Sequence, residues 1–535
     1  MKRHLILLLL IFTTITGGYF FWSWSLLPDG ERFIYPLDDA YIHLAIAKNF
    51  ALNGAWSINS TGFDSASSSI LYTLLLSTLI KIFGVWEFYP LIINIIAGYL
   101  AVYWFYRYFR DFYSKSEMVW AVILLLPFSL LYAMTLIGME HTIHMFLMVL
   151  GVYWIRKNVD SNFERRDFIK LLIIVFFISI VRFESIFFTA ALAFALLLRK
   201  DFLKGLIISV VGFLPILVFG LISLKNGGYF FPNSVLIKGN VPGGTGILEK
   251  GFTMVKDGIL LNRSFYKCLF FPLVLILIDL VRKYRSGKLS DFFRKETLVI
   301  AIVLMALMHS VFAILKYRYE NYVMISMLMI IVPILAAFFK KIKSERRKIT
   351  VENTLMAFGV AGIFAASVYR FQYMHHPSVI GSKNIYEQQV ELSEFLRKNY
   401  RGEKIIANDI GAISYFSGVK LLDMVGLGST AVTQFMVEHK KLDQERYTKE
   451  FRLFLMNYAG ANDFKIAVIY PEWFPGKTPS TWIPVASWTV PDNRVAARNR
   501  VVFYALRPEE VQNLQMKLMG FPRDKNVVQW FYIRK

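Results

Sequence analysis

For about its first 370 residues the chain alternates long apolar runs with short polar breaks, and beyond that point the pattern changes. Apolar stretches at 5–25, 88–106, 118–137, 141–155, 168–182, 185–198, 205–224, 264–281, 297–315, 321–339 and 351–369 approach the roughly 20 residues that carry a helix across a bilayer. The pattern predicts eleven membrane spans. Helices apolar on every side would leave a soluble protein with too little polar surface, so a polytopic α-helical membrane protein is expected. A further run, "SSILYTLLLSTLIKIFG" (68–84), is shorter, opens with serines and contains Lys81. It is expected to lie as an interfacial or re-entrant helix within a first outer loop, 26–87. The run after Lys2 and Arg3 is longer than a signal-peptide core and ends in aromatics, which predicts a retained first span.

After residue 370 the periodicity shortens. "EKIIAND", "VKLLDMVG", "DFKIAVIYP" and "RNRVVFYAL" read as strands, and "IGAISYF" as a short helix or turn. "PEEVQNLQMKLMG" suits a helix that starts at a proline and stops at a glycine. Residues 1–369 are therefore read as the transmembrane domain and 370–535 as a soluble α/β domain.

Charge settles the orientation. The chain has 60 Lys and Arg against 38 Asp and Glu, a net +22. Six segments between apolar runs (1–3, 107–117, 156–170, 199–204, 282–296 and 340–348) hold 25 of the basic and 9 of the acidic residues. If 68–84 does not cross, all six fall on one side, as the positive-inside rule requires; if it crosses, every later loop is inverted. The excess therefore marks cytoplasmic loops, and nucleic acid is not implied. The single cysteine, Cys268, excludes an internal disulfide and a cysteine metal cluster.

This topology gathers the unusual polar residues on the outer face. Asp38 and Asp39 follow the first span, and Glu140 with His141 sits at a turn. Arg182 and Glu184 lie at the next outer turn, "GGYFFPNSVLIKGN" supplies Asn233 and Lys238, and "KYRYEN" supplies Lys316, Arg318 and Glu320. Charges near membrane depth are costly and tend to line functional cavities, which points to one outward-opening site. Each group also has a plainer use: Asp39 or Glu140 can cap the helix that follows, Arg182 can pair with Glu184, and Lys316 and Arg318 can reach lipid headgroups. The histidines do not form HExxH, and no Gly-rich phosphate loop or GxSxG elbow precedes the membrane part.

"DDAYIHLAIAKNFALNGAWSINSTGFDSASSSILYTLLLSTLIKIFG" resembles the first periplasmic loop of GT-C fold glycosyltransferases, with its acidic pair, helix ending in "NG" and surface helix. "GME", "FPNSVLIK" and "ANDIGAISYFSGVKLLDMVGLGS" are similar to the arabinofuranosyltransferase-like branch. Dolichyl-phosphate-mannose and aminoarabinose transferases share the first loop more distantly. "RFE" departs from the Arg-Pro-acidic pattern of relatives, which weakens the carry-over to Arg182 and Glu184. The resemblance implies a multi-pass enzyme of a bacterial inner membrane, with its active site and C-terminal domain outside the cytoplasm. It would transfer a sugar from a polyprenyl-phosphate donor to a glycan, lipid or protein by an inverting single displacement. By the same resemblance Asp38 is expected as general base, Asp39 as cap or metal ligand, and Glu140 as second carboxylate. Asp39 and Glu140 would hold a divalent metal such as Mg or Mn if one is used. Lys238, Lys316, Arg318 and Arg182 are the expected phosphate partners; Tyr41, His43, Asn233 and Glu184 are assigned to the substrate pocket. Two other classes stay open: a flippase for lipid-linked sugars, and a sensor or assembly protein whose outer domain binds a partner.

Overall fold

The computed structural model describes residues 2–238, 246–285, 288–315, 317–344 and 350–532. Each of the eleven expected spans is helical. Among the described residues, six helices are long and apolar enough to cross a membrane by themselves: Lys2–Trp24, Tyr89–Phe112, Phe202–Lys225, Arg263–Tyr284, Tyr317–Lys343 and Val351–Tyr400. Thr297–Phe312 makes a seventh if it and Leu289–Lys295, bent by 77°, count as one span. The other expected spans are shorter, broken or more polar helices, so length and hydropathy do not by themselves fix the count at eleven. One break is local: Leu130 adopts φ 57° and splits the third expected span into Lys115–Ser129 and Leu131–Leu136.

The run read as interfacial is the helix Ile70–Phe83, started by Ser69, whose hydroxyl accepts from the Tyr72 amide at 3.1 Å. It buries Tyr72, Thr73, Leu76, Ser77 and Ile80, while Leu74, Leu75, Ile82 and Phe83 stay exposed. That spacing gives one buried stripe and one outward apolar stripe.

The last long helix, Val351–Ile385, does not stop near residue 369. Arg370 lies inside the bundle, paired with Glu320 and donating from Nε to the Phe128 carbonyl at 2.8 Å. The helix then passes through a π-helical turn, Tyr386–Val390, into Glu391–Tyr400, and the first strand follows at once.

That strand is β1 (Lys404–Ala407), followed by β2 (Lys420–Asp423), β3 (Ile466–Ile469), β4 (Ile483–Thr489), β5 (Arg500–Ala505) and β6 (Val528–Phe531). They form one sheet in the order β2-β1-β3-β5-β4-β6, with β1 parallel to β2 and β3 and the remaining pairs antiparallel. β3, "IAVI", is buried at every position, as a central strand covered on both faces must be. One face carries Glu391–Tyr400 and Pro508–Met519, through Phe395, Leu396, Leu514 and Leu518. The other carries Thr430–Glu438 and Gln444–Ala461, through Phe435, Phe451 and Leu455. The first of these cores also contains Ile42, Ile46, Trp56 and Ile58. The first outer loop and the sheet thus bury apolar surface against each other.

Candidate active site

The helix Asp39–Asn53 begins at the acidic pair, and the two carboxylates face different surroundings. Asp38 occupies the N-cap position, yet its side chain makes no bond to its own helix. It turns instead to the segment after β1, where Oδ2 accepts from the Gly411 amide at 2.5 Å and Oδ1 from the Ala412 amide at 2.8 Å. These are the first amides of the helical turn that continues through Ile413–Ser417, so the carboxylate satisfies donors that would otherwise be orphaned. Gly411 is required there: a Cβ would fall within the van der Waals shell of the Asp38 carbonyl oxygen and 2.7 Å from Oδ2. Asp409 sits beside this contact, its Oδ2 accepting from the Tyr470 hydroxyl at 2.9 Å and from Gln389 Nε2 at 3.0 Å. Burial, followed by the charge of Asp38, pushes the Asp409 carboxyl well above the usual range. Burial also raises Asp38, against the pull of the two amides. Each carboxylate thus disfavours the ionisation of the other, and the two titrate as a pair.

Asp39, one residue on, lines a cavity of about 560 Å³. His43 lines it too, one turn further along the same helix face, with Ser68, Arg182, Glu184 and Tyr319 around them. Asp39 pairs with Arg318, whose guanidinium lies 4.9 Å from the Tyr319 ring centroid; Arg182 lies 5.1 Å from that ring. Behind the wall Glu140, fully buried, pairs with Arg182 and with His43 Nε2 at 3.1 Å, and accepts from the Ser68 hydroxyl at 2.9 Å. Arg182 also donates to Glu184 at 2.6 Å. Charges from four chain segments thus close into one connected network, which offsets the cost of burying them. The rest of the wall is mainly apolar, with Phe187, Ile216, Phe231 and Phe312 among its residues, and Leu427 and Lys440 come from the sheet region. Lys440 makes no ion pair among the described residues.

The structure therefore brings together Asp39, His43, Arg182, Glu184 and, one layer behind, Glu140, with Arg318 reaching Asp39. Asp38 is near in sequence but faces the sheet region. Tyr41 does not line the cavity: two residues past Asp39, it points to the far side of the helix, takes a hydrogen bond from the Tyr35 amide at 3.2 Å and packs on Phe416. Asn233 is buried, but it serves as a strut, its Nδ2 donating to the Leu427 carbonyl at 3.1 Å, while Ser234, Val235 and Leu236 line the cavity. Lys238 ends the helix Asn233–Lys238, with its side chain outside the described part, and Lys316 lies outside the described residues. Ser68, Tyr319, Asp409, Gly411 and Lys440 were not singled out from the sequence. Only Gly411, within "NDIGA" after a strand, carried a local signal, that of a tight turn.

Asp39 and Glu140 do not fit a shared divalent ion. Each already has a cationic partner, and no group of three or more His, Cys, Asp or Glu able to hold a metal occurs among the described residues.

Residues 383–504 match a family described as a domain of unknown function, DUF8728. No curated protein matches the chain. Among solved structures, ArnT from Cupriavidus metallidurans bound to undecaprenyl phosphate is 13% identical with a TM-score of 0.50, over 94% of this chain and 98% of that one. The Archaeoglobus fulgidus oligosaccharyltransferase in complex with Zn and sulfate is 12% identical with a TM-score of 0.51, over 94% of this chain and 73% of that one. The chain is a multi-pass α-helical membrane protein with the GT-C fold and a C-terminal sheet region.

Proposed function

We propose that this chain transfers a sugar from a polyprenyl-phosphate-linked donor to an acceptor hydroxyl, at the outer face of a bacterial inner membrane. One observation carries the reading: a single cavity has an apolar wall suited to a lipid chain, and beside it a carboxylate held by an arginine. The likeness to ArnT bound to undecaprenyl phosphate supports it through the shared fold.

In this reading Asp39, and not Asp38, is the general base. Both oxygens of Asp38 are taken by backbone amides, whereas Asp39 faces the cavity. The acceptor oxygen attacks the anomeric carbon as the bond from that carbon to the phosphate oxygen breaks. The acceptor proton passes to Asp39, and the lipid phosphate leaves with the bonding electron pair. One displacement inverts the anomeric centre. Charge grows on the leaving phosphate, and cations placed there lower the barrier. Arg318, shared with one carboxylate, and Lys440 are the partners for it; a guanidinium can bind phosphate through two parallel hydrogen bonds. Arg182, already committed to Glu140 and Glu184, acts by positioning the wall.

The test is reconstitution of the purified chain with polyprenyl-phosphate sugars and an envelope-derived acceptor. Release of lipid phosphate with inverted anomeric configuration in the product is expected. Movement of the lipid-linked sugar across the bilayer without any release would overturn the reading in favour of a flippase.

A further inference from the structure

We infer that a second cavity, of about 400 Å³, is the binding site for an oligosaccharide acceptor. It lies between the first outer loop and the β2 edge of the sheet, with Asp64 and Thr61 on one wall and Lys420 and Tyr458 on the other. This rests on the transferase reading and narrows its acceptor from glycan, lipid or protein to glycan.

The walls are pre-formed. Asn59 exchanges two hydrogen bonds with Leu421 of β2, at 3.0 and 2.8 Å, which closes the sheet edge at that point to an added strand. Asp64 accepts from the Ser57 hydroxyl at 2.5 Å and the Thr430 hydroxyl at 3.2 Å, tying the loop to the sheet region. Other groups keep unused capacity. Lys420 has no ion pair, and the hydroxyls of Thr61 and Tyr458 have no hydrogen bond, among the described residues. Dispersed hydroxyls and amides, the Asp64 carboxylate, two ammonium groups (Lys420, and Lys404, which donates to the Asn462 carbonyl) and the rings of Phe63, Tyr458 and Phe464 suit a ring rich in hydroxyls with an apolar face. The chemistry is the opposite of the first cavity, where apolar side chains dominate.

Position adds a second argument. Consecutive residues of one loop separate the cavities: Leu427 lines the first and Gly428 the second. Asp423 holds that loop, accepting from the Val425 and Gly428 amides at 2.8 Å each. Gly428 lets the loop approach the first outer loop, since a Cβ would come within 2.5 Å of Ile58 Cδ1. A glycan held in the second cavity lies one loop-width from the cavity that Asp39 lines.

The experiment presents the full chain, in detergent, to an array of defined hexose and pentose oligosaccharides, beside a lipid-phosphate release assay. Wild type and Asp39→Asn should bind the same glycans. Lys420→Ala/Tyr458→Ala and the cavity-filling Thr61→Trp should each bind them at least tenfold more weakly. Absence of binding to any oligosaccharide, or wild-type binding by both cavity variants, overturns the proposal. Donor turnover without glycan binding defeats this inference alone; glycan binding without any donor turnover keeps the carbohydrate site and removes its acceptor role.

Discussion

Replacing Gly411 with alanine tests how the sheet region sets the site. The new Cβ would press on the Asp38 backbone and lie 2.7 Å from Oδ2. Restoring ordinary contact means parting the two segments by roughly 1 Å, which carries the 2.5 and 2.8 Å amide bonds toward or beyond hydrogen-bond range. Overpacking of this kind costs about 1–3 kcal/mol, and each bond to a charged carboxylate contributes about 1.5–3 kcal/mol, part of which water returns. A net loss near 3 kcal/mol is expected, seen as a lower melting temperature of the detergent-solubilised chain. Asp39 follows Asp38 directly, and a displacement of about 1 Å at a reacting group can lower a rate by about 10²-fold. Lipid-phosphate release should fall by that order while the variant still elutes as a folded species. Gly460→Ala is the control: it sits in the helix Gln444–Ala461 with nothing within 4 Å of its added Cβ. There alanine should leave the rate unchanged and raise stability by about 0.5–1 kcal/mol. A Gly411→Ala variant with wild-type rate and melting temperature would refute the reasoning.

Three further outcomes follow. Arg370→Met should destabilise the bundle by about 3–5 kcal/mol, because Glu320 is left charged and buried; Arg370→Met with Glu320→Gln should recover most of that in thermal unfolding. Burial pushes Glu391, which accepts from the Asp524 amide, up to about 7. Its stabilising contribution is complete below its unfolded value near 4.3 and is lost as pH rises through 7, so stability should fall by about 2 kcal/mol at most between pH 5.5 and 8.5, seen as a lower melting temperature, and Glu391→Gln should flatten that slope. Lys440→Ala should raise KM for the lipid-phosphate donor about fivefold with a smaller change in kcat, since an exposed cation acts mainly on binding and is screened.

The helices of the membrane part were legible because burial in lipid leaves a long apolar signal that no loop imitates. The convergence of Asp39, Glu140, Arg182 and Arg318 was legible through topology alone: charges at the same membrane face have few other places to go. The division of labour between Asp38 and Asp39 was not. It is decided by two amides more than 370 residues away in the chain, and no local pattern encodes them. That Tyr41 lies away from the cavity follows from helix geometry, since residues two apart on a helix face apart whereas Asp39 and His43, four apart, share a face. β4 went unread because Pro484 and a register shift interrupt its alternation, and β6 because, as an edge strand with no fully buried position, it lacks the continuous buried run of β3.

The most direct test of the central claim is the rate of lipid-phosphate release by Asp39→Asn at saturating donor and acceptor. General-base assistance contributes about 10²–10⁴-fold, so a loss of that size, with donor binding retained, is the predicted result. Turnover at the wild-type rate would contradict the account.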